Sequence, residues 1–309
     1  MTFALVFPGQ GSQSLGMMNA YGDSAVVRKT FDEASAALGR DLWQLVAEGP
    51  AEALNQTVNT QPLMLTAGVA VYRLWQEKGG PVPAMVAGHS LGEYSALVAS
   101  GVLTLADAVP LVELRAKAMQ EAVPAGEGAM AAILGMDPET IKQICAESEQ
   151  GQVVQAVNFN APEQTVIAGH AAAVQRAADA CKAKGAKRAV MLPVSAPFHC
   201  SLMQPAAEKL KLRLEALTLN VPQIPVVNNV DVAVVTDPAQ IKDALVRQAA
   251  APVRWVETMQ AMQRAGVTQV LECGPGKVLS SVAKRCADGI VGVAMADLAG
   301  LEAALAAVK

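Results

Sequence analysis

Gly88-His89-Ser90-Leu91-Gly92 carries the residue types and spacing for nucleophilic chemistry. The pattern G-x-S-x-G, after an apolar strand and before a helix, describes a nucleophile elbow. Such a turn holds the serine in a strained backbone conformation with Oγ exposed. The amide of the next residue, Leu91, projects from a helix N-terminus and can stabilise an oxyanion. A serine hydroxyl needs a base, and imidazole suits neutral pH. The chain holds three histidines, His89, His170 and His199. His89 adjoins the serine, and neighbouring side chains point apart, so it reads as a packed ring supporting the turn. His170 closes a strand and reads as a surface or capping residue. His199 ends a proline-bracketed loop, 193–199, and is the expected general base and acid. Cys200 beside it reads as ordinary packing.

A third group should orient His199. Asp231, after Asn228-Asn229, is one possibility and a backbone carbonyl another; spacing leaves both open. Near the N-terminus, Pro8-Gly9-Gln10-Gly11-Ser12-Gln13 follows an apolar run. Ser14 stands where a dinucleotide fingerprint has its third glycine, and no acidic residue follows at the right distance, so that site is excluded. Gly274-Pro-Gly-Lys277 has the wrong spacing for a P-loop. A glycine loop here can instead bring the Gln10 amide to a substrate as a second oxyanion donor. On a helix expected over 105–122, Leu105, Val109, Val112, Ala116 and Met119 share one face and Glu113, Lys117, Gln120 and Glu121 another. Arg115 belongs to neither, falling beside Ala108 and Ala122. A charge there needs a buried partner or lines a cleft, and its fork suits a carboxylate.

These groups need a scaffold. Apolar runs at 3–8 and 82–87 alternate with helical patterns at 24–38, 62–78, 91–100 and 105–122, the second opening with Pro62 in its first turn. Strand and helix in alternation without hairpin signals predict an α/β layer fold with a mainly parallel sheet. Past Pro124 the order changes: strand 128–136, helix 138–149 behind Asp137, strands 152–159 and 164–169, helix 171–184, strand 187–194. That succession is ferredoxin-like, and predicts a subdomain over 124–195 inserted in a larger domain of 1–123 and 196–309. Helices at 202–216, 238–249 and 300–308, with strands at 224–230 and 267–272, resume the larger pattern.

Composition narrows the function. The 309 residues are 52% hydrophobic and 17% charged, ample for a core. The net charge of −4 argues against a nucleic-acid binder. No run reaches the ~18 apolar residues of a membrane span, and residues 1–8 lack a signal peptide's basic start. The five cysteines are odd in number, dispersed and without a C-x-x-C pair, which predicts reduced thiols, a cytoplasmic protein and no metal site. The absence of a heptad permits a monomer.

Taken together, the motifs at 7–13, 60–62, 88–94, 157–160, 225–230 and 272–276, with Arg115 and His199, resemble the malonyl-CoA:acyl carrier protein transacylases nearly end to end. The resemblance implies an α/β-hydrolase-like large domain with an inserted ferredoxin-like small subdomain. It implies Ser90 as acyl nucleophile, His199 as base, Arg115 as carboxylate anchor, and the Gln10 and Leu91 amides as oxyanion hole. It adds Gln61 and Asn160 near the substrate, and Gln248 as the source of a main-chain carbonyl orienting His199. The implied partners are malonyl-CoA and an acidic acyl carrier protein, with no cofactor beyond the pantetheine they carry. Lys182, Lys184, Lys187 and Arg188, or Lys277, Lys284 and Arg285, would supply a basic dock. The rival expectations are a serine thioesterase releasing free malonate, a binding protein, and an acyltransferase of a polyketide synthase or malonate decarboxylase system.

Overall fold

The structure, a computed structural model, describes residues 2–194 and 196–308. Met1, Ser195 and Lys309 lie outside the described residues, and with them the outer ends of the expected large domain and the last residue of the insertion.

The first strand, β1 (Phe3–Phe7), is buried at every residue, as befits a parallel strand covered on both faces. Its side chains alternate: Phe3, Leu5 and Phe7 enter one core, and Ala4 and Val6 the other. Helices α1 (Ala25–Leu38), α2 (Leu42–Glu48), α3 (Ala51–Leu54) and α4 (Thr57–Glu77) follow. The last starts a turn earlier than expected, so Pro62 sits inside it and not in its first turn. Proline there leaves the Val58 carbonyl without its helical donor; Arg40 Nη2 reaches that oxygen at 3.4 Å. The chain then forms β2 (Met85–Gly88), α5 (Gly92–Ala99) and α6 (Leu105–Glu121).

A second unit interrupts the first. It consists of β3 (Gly128–Leu134), α7 (Pro138–Ser148), β4 (Val154–Ala161), β5 (Gln164–His170), α8 (Ala171–Ala183) and β6 (Arg188–Met191). Its antiparallel sheet has the order β4-β5-β3-β6. Ala131, Ile133 and Ile167 pack under α7 and α8 on one face, while Met130, Val166 and Ala168 meet Cys200 and Phe198 on the other.

The chain returns through α9 (Gln204–Glu215), β7 (Val226–Val227), α10 (Pro238–Ala249), α11 (Trp255–Arg264), β8 (Gln269–Glu272), α12 (Val278–Cys286), β9 (Val291–Ala294) and α13 (Leu298–Val308). The large sheet is parallel throughout, in the order β7-β2-β1-β8-β9. The fold is thus an α/β-hydrolase-like body with an inserted antiparallel sheet under two helices. The strand expected over 224–230 is cut to two residues because Asn228 Oδ1 accepts from Asp231 N and turns the chain. One backbone seam joins the units: Val253 pairs with the edge of β4, through Phe159 N to Val253 O and Val253 N to Val157 O.

Candidate active site

The elbow is built by contact. A Cβ on Gly88 would fall 1.9 Å from the Gly92 carbonyl, and one on Gly92 would fall 2.1 Å from the Phe7 carbonyl. Only hydrogen fits at either position, so β2 turns into α5 hard against the end of β1. Ser90 takes φ 52, in the left-handed region that serine rarely adopts. Asn229, fully buried, holds it there: its Oδ1 accepts from Ser90 N at 2.8 Å and its Nδ2 donates to the Gly88 carbonyl at 2.7 Å.

His199 also has a left-handed backbone, φ 65, and lies across the cleft. Its Nε2 is 2.6 Å from Ser90 Oγ and its Nδ1 is 3.0 Å from the Gln248 carbonyl. A carbonyl only accepts, so Nδ1 carries the proton and Nε2 is free to accept from the serine hydroxyl. Burial, followed by the nearby Arg115 charge, lowers the imidazole to about 3 and keeps it neutral. Asp231, offered above as an orienting acid, is engaged elsewhere: both its oxygens accept from Arg247, at 2.8 Å each.

Arg115 comes off α6 and is 2% exposed. Its Nη1 donates to Gln61 Oε1 at 2.8 Å, and its Nη2 to Gln248 Oε1 at 3.0 Å and Ser90 Oγ at 3.2 Å. The guanidinium also faces the Tyr94 ring, 5.4 Å from its centroid. All its hydrogen-bond partners are neutral, and Nε has none among the described residues. A buried cation held this way is poised for an anion. The nearest acid, Glu93, stands one amide away: Gln248 Nε2 donates to Glu93 Oε2 at 3.0 Å. Burial pushes the Glu93 carboxyl up to about 7, against the hydrogen bonds from Gln248 and Asn229.

A cavity of about 120 Å³ joins these groups, lined by Gln10, Gln61, Ser90, Leu91, Arg115 and His199 with Met119, Met130, Leu192 and Phe198. The amides of Gln10 and Leu91 meet no acceptor among the described residues. Asn160 is placed differently from the others: its Oδ1 is 2.7 Å from His89 Nε2, and it does not line the cavity. Asn158, two residues earlier, does line it, with a buried Oδ1 that has no partner among the described residues. The other histidines are engaged away from the serine. His89 packs on Trp255, and His170 Nδ1 accepts from Val153 N at 2.9 Å. Cys200 donates to the Pro197 carbonyl, and burial raises its thiol to about 11. No group of three metal-ligating side chains occurs among the described residues. Periodicity and spacing do not single out Asn229, Glu93 or Asn158, although all three fall in the quoted motifs.

The model of the acyl transferase domain family matches residues 4–303. The Escherichia coli (strain K12) protein named malonyl CoA-acyl carrier protein transacylase is 57% identical over 304 residues, covering 98% of each chain. The chain belongs to the malonyl CoA-acyl carrier protein transacylase family. A crystal structure of an acyl-carrier-protein S-malonyltransferase from Burkholderia pseudomallei 1710b superimposes with a TM-score of 0.97 at 60% identity, over 99% of this chain and 100% of that one. A malonyl-transacylase solved in complex with its type II PKS acyl carrier protein reaches a TM-score of 0.98 at 55% identity, over 99% and 100%. Membership of the transacylase family supplies a reaction class against which the geometry can be read.

Proposed function

We propose that the chain transfers a malonyl group from malonyl-CoA to the phosphopantetheine thiol of an acyl carrier protein, supplying fatty acid synthesis. One observation carries the substrate choice: Ser90 Oγ lies within hydrogen-bond distance of both His199 Nε2 and Arg115 Nη2. In a malonyl thioester the carboxylate carbon is two bonds from the reacting carbonyl carbon. An anchor in contact with the nucleophile suits that short diacid.

His199 Nε2 takes the Ser90 proton as Oγ attacks the thioester carbon. The Gln10 and Leu91 amides receive the oxyanion, and one such donor contributes about 100- to 1000-fold. The tetrahedral intermediate collapses, the C–S bond breaks, and His199 returns the proton to the departing coenzyme A sulfur. The carrier's thiol then gives its proton to His199, attacks malonyl-Ser90, and the serine leaves with that proton. Pantetheine arrives with each substrate, so the cycle asks for no resident cofactor or metal. The test is the intact mass after mixing with malonyl-CoA. A malonyl adduct is expected that Ser90→Ala abolishes; no adduct on the unaltered chain overturns the nucleophile, and net release of malonate would favour a thioesterase.

The carrier protein needs a basic face. The two clusters read from the sequence adjoin: Leu134 pairs with both Arg188 and Gln164, and Arg285 Nη2 donates to Gln164 Oε1 at 3.3 Å. Arg188 and Gln164 therefore lie about 10 Å apart, with Arg285 alongside. From Arg188 the chain leads past exposed Val190 and Met191 to Leu192 of the cleft wall, about 13 Å away. This edge is the dock we assign. No helix among the described residues is long and apolar enough to cross a membrane. We assign a cytoplasmic location and a monomer from the dispersed cysteines and the absence of a heptad.

A further inference from the structure

The hydrogen bonds around Arg115 have a fixed direction. A guanidinium only donates, so Gln61 turns Oε1 toward it and is left with Nε2 facing Thr57 Oγ1, at 3.2 Å. With a lone pair so engaged, Thr57 sends its one proton to Gln10 Oε1, at 2.8 Å. The run Arg115–Gln61–Thr57–Gln10 thus links the carboxylate anchor to the loop that carries an oxyanion amide. Thr57 begins α4 and is 2% exposed. Gln10 and Gln61 line the catalytic cavity, while Thr57 lines a neighbouring one. Other threonines of the same helix differ: Thr60 donates to the Leu54 and Gln56 carbonyls and Thr66 to the Pro62 carbonyl, contacts that serve the backbone.

We propose that Thr57 is a positioning residue whose hydroxyl ties the Gln10 loop to the Arg115 anchor, so that the oxyanion amide and the carboxylate site are set together. The inference rests on the acyl-transfer reading above. Thr57 touches no reacting atom. It acts by holding the two glutamine side chains in the one orientation that Arg115 permits.

The experiment compares Thr57→Val, which keeps the shape, with Thr57→Ser, which keeps the hydroxyl, using malonyl-CoA and acetyl-CoA as alternative donors. Thr57→Val is expected to lower kcat for malonyl transfer about tenfold, the ~1.4 kcal/mol of a lost hydrogen bond. The malonyl-to-acetyl ratio of kcat/KM should fall at least about threefold, because the anchor loosens with the loop. Thr57→Ser should stay within about twofold of the unaltered chain. A helix-packing role would instead leave the ratio unmoved. Overturning results are Thr57→Val within twofold for both donors, Thr57→Ser as impaired as Thr57→Val, or equal loss for the two donors. Should Thr57→Val not fold, Thr57→Ala against Thr57→Ser decides by the same ratio. The mass of the unaltered chain after malonyl-CoA separates the failures. An adduct with an unresponsive Thr57 sinks only the positioning role, and no adduct sinks the acyl-transfer reading itself.

Discussion

The parallel body and the antiparallel unit bury comparable sheets under helices, but they keep polarity in different places. Of the eighteen buried polar or charged side chains among the described residues, Ser148 and Thr165 alone belong to the small unit. Its interior is alanine, isoleucine, valine, cysteine and Met136. The body instead buries Gln61, Glu93, Arg115, His199, Asn229 and Gln248 within one network. Such groups are costly in a core unless each is satisfied, and they are retained where they hold chemistry in place. The difference teaches a division of labour: the body positions the reacting atoms, and the inserted sheet walls the cleft and carries the edge proposed as the dock. If that is right, substitutions in the body should change the chemistry, and substitutions at the outer edge of the insertion should change only the partner's apparent affinity.

The largest effect is expected at Arg115. Removing a buried guanidinium from a carboxylate costs about 3 kcal/mol or more, so Arg115→Ala should lower kcat/KM for malonyl-CoA about 100-fold or more. Acetyl transfer has no carboxylate to lose and should fall much less. Steady-state assays with both thioesters check this, and equal losses would remove the anchor role and blur the contrast between the two regions.

How much of this division was legible beforehand follows from the range of each contact. Ser90 was readable because an elbow is local: a strand, five residues and a helix. His199 followed from scarcity and a proline-bracketed loop, and Arg115 from its angular position on α6. The groups that hold them in place were not readable from spacing. Asn229 reaches Ser90 across 139 positions, Glu93 meets Asn229 across 136, and Thr57 meets Gln10 across 47. Asp231 shows the converse. It is near the site in sequence, yet Arg247, on the next helix, takes it. Gln248 was suggested by family resemblance alone, since its main-chain oxygen carries no residue signature. The same limit applies to the elements. Helix α12 is capped by Glu272, whose carboxylate accepts from Leu279 N and Ser280 N, a cap drawn from the preceding strand. The sequence pattern leaves α2, α3, α11, α12 and β9 unassigned, and shortens α4 by a turn because Pro62 reads as a start signal.

An intermediate effect is expected from pH. Burial raises Glu93 to about 7, whereas the unfolded carboxyl titrates near 4.5. Between those values the native chain binds a proton that the unfolded chain does not, so this contribution to stability is complete below 4.5 and is lost as pH rises through 7. His199 works in the opposite sense. Held at about 3 against 6.5 unfolded, it costs stability as pH falls below 6.5. Glu93→Gln keeps an acceptor for Asn229 and Gln248 and removes only the first slope. From pH 5 to pH 8 it should gain about 2 to 3 kcal/mol on the unaltered chain. Denaturant melts at the two pH values measure it, and parallel changes in both proteins would exclude Glu93 as a buried titrating group of the body.

The smallest effect belongs to the insertion and tests the other half of the comparison. Arg285, bonded to Gln164, and Arg188, two strand spacings from it across Leu134, come from two units of the fold, and both stand outside the cavity that holds Ser90. An exposed charge contact contributes up to about 1 kcal/mol and weakens with salt. Neutralising both, as Arg188→Gln with Arg285→Gln, should raise the apparent KM for the acyl carrier protein about fivefold at low ionic strength. The effect should fade in high salt. The rate of malonyl-Ser90 formation from malonyl-CoA should not change, because no group that touches the thioester has moved. A KM for the carrier that stays constant would place the dock elsewhere. A slowed acylation step would mean that the edge of the small sheet bears on the chemistry, and the two regions would then have to be read as one site.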